Sequence, residues 1–127
     1  MPRLRTRVIA ASAVLAAGLI AGTGAQASSS SVYLTLTPPA VHRGHTVLIR
    51  GSAGLCPVGD IVTIISRAFS RIHEFAGVPA VLARVQSGGH FRTTTRIPLR
   101  RRVGRYGVTA RCGGGNLGVL VRLTVLR

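Results

Sequence analysis

The chain has 127 residues, 46% of them hydrophobic, and carries 17 basic residues against two acidic ones for a net charge of +15. That length holds one packed domain, and apolar runs of Val, Leu, Ile and Ala punctuated by 16 Gly and 6 Pro exclude a disordered tail. Asp60 and Glu74 are the sole carboxylates, which excludes paired-carboxylate catalysis unless both reach one cleft and makes acidic polymers the physical complement of the surface.

The first element is a leader. Arg3, Arg5 and Arg7 precede an apolar stretch of about 13 residues over 8–20, and Ala25-Gln26-Ala27 places small residues where a signal peptidase reads. The apolar stretch is shorter than the roughly 20 residues needed to cross a bilayer, and Gly22-Thr23-Gly24 interrupts it. This pattern predicts a signal peptide over 1–27, cleaved after Ala27, and a product that is secreted, either extracellular or associated with the cell wall. Loss of the three leader arginines leaves a net charge of about +12. An oxidising compartment makes Cys56 and Cys112 readable as one disulfide. Closing a loop of about 57 residues in this way would contribute about 4 kcal/mol through chain entropy. Two free thiols or a metal pair are the alternatives.

After a polar linker over 28–31, the segment 32–127 alternates short β-branched runs with turn residues about every ten positions. Strands are predicted over 32–37, 46–51, 61–69, 81–85, 91–97, 106–112 and 119–125. Pro38-Pro39 ends the first, because proline cannot donate to a ladder. In 91–97, Phe91, Thr93, Thr95 and Ile97 share one face and Arg92 and Arg96 the other. Tyr106, Val108, Ala110 and Cys112 share a face, as do Val119, Val121, Leu123 and Val125, with Gly113-Gly114-Gly115-Asn116 as the turn between them. About seven antiparallel strands with both cysteines near strand ends give an all-β, immunoglobulin-like sandwich. Its disulfide staples the loop after the second strand to the penultimate strand.

Few constellations for chemistry emerge. His42-Arg43-Gly44-His45 brings two imidazoles close around a turn, but adjacent arginine disfavours a cation, so neither a metal nor a cofactor is expected. No serine sits in a Gly-x-Ser-x-Gly elbow and the cysteines are expected to pair, so the chain reads as no enzyme. The Gly113-Gly114-Gly115 run lacks the following helix that a phosphate loop needs. The densest charge run, Arg100-Arg101-Arg102, together with Arg92, Arg96 and Arg105, forms a candidate polyanion-binding patch, since guanidinium forks pair bidentately with phosphate or carboxylate. Three Phe and two Tyr leave little to stack on bases, and no specific nucleic acid is expected.

The Leu-Thr-Leu-Thr-Pro-Pro opening at 34–39, Gly54-Leu55-Cys56-Pro57, Gly104-Arg105-Tyr106-Gly107-Val108 and Arg111-Cys112-Gly113-Gly114-Gly115-Asn116 resemble small secreted actinobacterial Ig-like proteins over nearly all of 32–127. That resemblance implies the fold and export. A more distant one is to neocarzinostatin-type apoproteins, secreted Ig-like sandwiches that hold an apolar chromophore in a cleft. The chain departs from them in having one cysteine pair and a basic balance. The leading expectation is a non-enzymatic module binding anionic envelope or extracellular polymers or an extracellular protein. The alternative is a small apolar ligand carrier whose cleft lies between the sheets, near the Cys56 loop and the Gly113 to Asn116 turn.

Overall fold

Alternating apolar and polar residues build two sheets that face each other across one core. The computed structural model describes residues 31–127 together with Gly18. The expected cleavage site and the linker up to residue 30 lie outside the described residues. Among the described residues nine strands follow in order: β1 (Val32–Thr37), β2 (Ala40–His42), β3 (Thr46–Ala53), β4 (Ile61–Ile65), β5 (His73–Phe75), β6 (Val78–Arg84), β7 (His90–Arg96), β8 (Gly104–Cys112) and β9 (Gly115–Leu126). One sheet has the order β1-β3-β7 and the other β2-β9-β8-β4-β6-β5. Every pairing is antiparallel except β2 with β9, which is parallel. The chain is thus an immunoglobulin-like all-β sandwich, stapled by a Cys56–Cys112 disulfide whose Cα atoms lie 6.0 Å apart.

The count of about seven antiparallel strands is corrected to nine, with one parallel pair. Both added strands are three residues long, too short to show an alternation. After Pro38-Pro39, β2 crosses to the second sheet, where the Pro39 carbonyl accepts from the Thr124 amide at 2.9 Å. β5 turns into β6 through Ala76 and Gly77, both at positive φ, a requirement of tight hairpins that alanine does not advertise. The run read as a strand over 61–69 stops at Ile65. Ser66 then leads a turn in which its hydroxyl accepts from the Ala68 amide at 3.2 Å, and Phe69 fills the core from a loop. The apolar signal was burial without extension.

The core takes Leu34, Leu36, Val47, Ile49 and Phe91 from one sheet and Val62, Ile64, Val108, Ala110, Leu123 and Val125 from the other. Gly51 sits on β3 between Leu34 and Phe91, where an added Cβ would collide with the Tyr33 carbonyl oxygen and the Phe91 ring. Gly51→Ala is therefore expected to destabilise the domain by about 1–3 kcal/mol through overpacking. A thermal melt should fall by roughly 5–15 °C. An unchanged melt would mean that both the Phe91 ring and the β1 backbone at Tyr33 give way freely.

Candidate anion-binding clefts

The β7–β8 connection is anchored at both ends. Ile97 is fully buried, the Arg101 amide donates to the Pro98 carbonyl at 3.1 Å, and the Tyr106 hydroxyl donates to the Arg102 carbonyl at 2.6 Å. Arg101, half-buried, reaches back across the sandwich end: Nε donates to the Ala68 carbonyl at 3.2 Å and Nη2 to the Phe69 carbonyl at 2.8 Å. These bonds tie the loop to the turn after β4, where Arg67 and Arg71 project. A cleft of about 420 Å³ results, walled by Arg67, Arg71, Arg100, Arg101, Arg102 and Tyr106 and floored by the start of β6. The one ion pair among the described residues lies at its rim, Arg71 to Glu74 at 2.9 Å, exposed on both sides and therefore weak. Four further guanidinium groups share the cleft with no carboxylate partner among the described residues. Like charges gathered this closely raise the local potential and draw anions.

The predicted patch is divided in space. Arg100, Arg101 and Arg102 line the cleft, and Arg105 lines an adjoining hollow of about 470 Å³ that shares Arg67 and Tyr106. Arg96 stands apart at the end of β7, its Nε donating to the Gly44 carbonyl at 2.6 Å and so fastening the β2–β3 turn. Arg92 lies on the outer face of the three-stranded sheet, directly opposite Arg50. Sequence reasoning missed Arg67 and Arg71, because only the turn at Ser66 and the β5–β6 hairpin bring that segment against residues 100–102. Arg50 was missed because register, which sequence does not display, sets it against Arg92.

The other constellations resolve simply. Asp60 follows the Cys56 loop and Glu74 lies in β5, near opposite ends of β6 and about 20 Å apart at strand rise, so they share no cleft. Both cysteines are bonded to each other, which removes them as metal ligands although the Asp60 carboxylate lies within 4.8 Å of both sulfurs. The His42 and His45 rings are 5.8 Å apart, and His42 Nδ1 is 2.6 Å from the Arg127 carbonyl oxygen. Gly113 and Gly114 form the tight β8–β9 turn, with Gly113 at φ +53°, and β9 follows where a phosphate loop would have a helix. A largely apolar groove of about 470 Å³ runs beside β7, lined by Ile72, Ile97, Pro98 and Leu99. It lies away from the Cys56 loop and the glycine turn where a ligand cleft was expected. Among the described residues no helix is long and apolar enough to cross a membrane.

No family model matches the chain, and no curated protein matches it. Among solved structures, it is similar to a Pseudomonas fluorescens alkylpurine DNA glycosylase bound to DNA containing an abasic site analog, at 16% identity and a TM-score of 0.49 over 75% of this chain and 29% of that one. It is also similar to Salmonella alpha-2-macroglobulin reacted with methylamine, at 17% identity and a TM-score of 0.48 over 76% of this chain and 6% of that one. The chain thus spans less than a third of either protein, and likenesses this loose carry no statement about activity.

Proposed function

We propose that the chain is a secreted, non-enzymatic binding module that holds anionic cell-envelope or extracellular polymers. The observation that carries this reading is the convergence of Arg67, Arg71, Arg100, Arg101 and Arg102 on one cleft with a single carboxylate at its rim. An anchored loop positions Arg100 and Arg102 at the cleft, and guanidinium suits phosphate or carboxylate. Export by the 1–27 leader would deliver the module to the surface polymers it fits, and the disulfide suits that compartment.

Two measurements test the reading. The mass of the exported product should correspond to a chain starting at Ser28. That product should sediment with purified anionic wall polymer and stay in solution with a neutral polysaccharide of similar length. Equal sedimentation with both would remove the charge-based assignment. The second reading, a carrier of a small apolar ligand, draws on the groove beside β7, where Ile72 and Leu99 are 81% and 67% exposed. Native mass spectrometry of the purified protein would reveal a retained apolar compound, and Leu99→Arg should release it.

A further inference from the structure

A second arginine site lies on the other sheet. Across β1, β3 and β7 the rung Thr35–Arg50–Arg92 places two guanidinium groups on directly opposed residues, and all three side chains are exposed on the outer face. Like charges directly opposite one another on a sheet destabilise it. Five arginines find acceptors among the described residues: Arg71 on Glu74, Arg84 on the Gly59 carbonyl, Arg96 on Gly44, Arg101 on Phe69 and Arg111 on Gly114. The Arg50 and Arg92 side chains, like those of the remaining arginines, have no hydrogen bond or ion pair among the described residues. Together with Tyr33, Thr35, Gln86 and His90 they line a hollow of about 400 Å³.

We propose that this hollow is a separate oxyanion site that takes one phosphate or sulfate group. Two forks lining one hollow suit a tetrahedral oxyanion, whose three or four oxygens can accept from both, better than a carboxylate, whose two oxygens one fork already fills. The exposed Thr35 hydroxyl and Gln86 amide lie at the same hollow as further donors. The bound anion offsets the cross-strand repulsion that the pair otherwise carries. The site is distinct from the cleft of residues 100–102. β7 runs from His90, at this hollow, to Arg96, just before the anchored loop, so the two sites sit toward opposite ends of a strand about 20 Å long. A domain with both filled would bridge two anionic strands.

The test is a titration of the isotope-labelled protein with inorganic phosphate, inorganic sulfate and acetate at matched ionic strength, followed by NMR. Phosphate and sulfate should move the Tyr33, Arg50 and Arg92 signals with saturation at about 1–10 mM, acetate at least about tenfold more weakly. Arg50→Gln or Arg92→Gln should abolish those shifts and leave any at Arg67 and Arg102 unchanged. Unsaturating shifts of equal size with all three anions, or shifts that survive Arg50→Gln, would overturn the site. Melting supplies an independent readout. In anion-poor, low-salt buffer Arg50→Gln should melt about 1–3 °C above the native protein, and saturating phosphate should raise the native melt alone. A variant stabilised by phosphate as much as the native protein would contradict the proposal. Because these signals are read apart from the cleft, failure here leaves the polymer-binding reading standing, and the converse holds.

Discussion

Replacing Cys56 and Cys112 together by alanine is expected to destabilise the domain by about 4–5 kcal/mol. The two residues are 56 apart in sequence, and cross-linking that distance removes about 4 kcal/mol of loop entropy from the unfolded chain. The native state also loses something, since Cys56 is buried and packs in the core while its loop supplies the Asp60 amide bond to the Pro57 carbonyl. Domains of this size are stable by only about 5–15 kcal/mol, so about a quarter or more of the total would go. Urea unfolding of the double variant should show a markedly lower midpoint, and dithiothreitol should produce the same shift in the native protein. A midpoint that stays put under both treatments would show that the sheets alone fix the β3–β4 loop and that the bond is incidental.

The triple change Arg67→Ala, Arg100→Ala, Arg102→Ala is expected to weaken binding to an anionic polymer by about 100-fold near 0.1 M salt. Each guanidinium paired with a phosphate-like group on a flexible chain contributes about 0.7 to the slope of log affinity against log salt. Removing three such pairings at that ionic strength therefore lowers the affinity by about two decades. All three side chains are exposed, so the melt should barely change. Arg101 is spared because its bonds to the Ala68 and Phe69 carbonyls hold the loop in place, and its loss would confound binding with folding. Retention of full affinity by the triple variant, with the fold intact, would move the binding surface elsewhere.

Strands with a long, clean alternation could be read directly. β7, β8 and the second half of β9 face as their patterns require, with Phe91, Val108, Ala110, Leu123 and Val125 inward and Arg92 and Arg96 outward. Two cysteines and a leader pattern that implies an oxidising compartment were enough to pair Cys56 with Cys112. Features that depend on tertiary placement stayed hidden. β2 and β5 are too short to carry a period, and the 61–69 run looks uniformly strand-like because both a strand and a core-filling loop bury apolar residues. For the same reason the arginines were grouped by nearness in sequence. Arg100, Arg101 and Arg102 lie together in space as well, but their true neighbours are Arg67 and Arg71 from about 30 residues away, while Arg92 faces Arg50 across a register that only the folded sheet defines.

The most direct measurement is the affinity of a chain spanning residues 28–127 for purified anionic wall polymer, heparin and DNA between about 0.05 and 0.5 M salt. Binding should be tightest to the wall polymer and retained at salt that releases DNA, with a log–log slope of about −3 that falls toward about −1 in the triple variant. Equal affinities for all three polymers, erased together by salt and unchanged in the variant, would contradict it and leave the arginines as a merely adhesive surface.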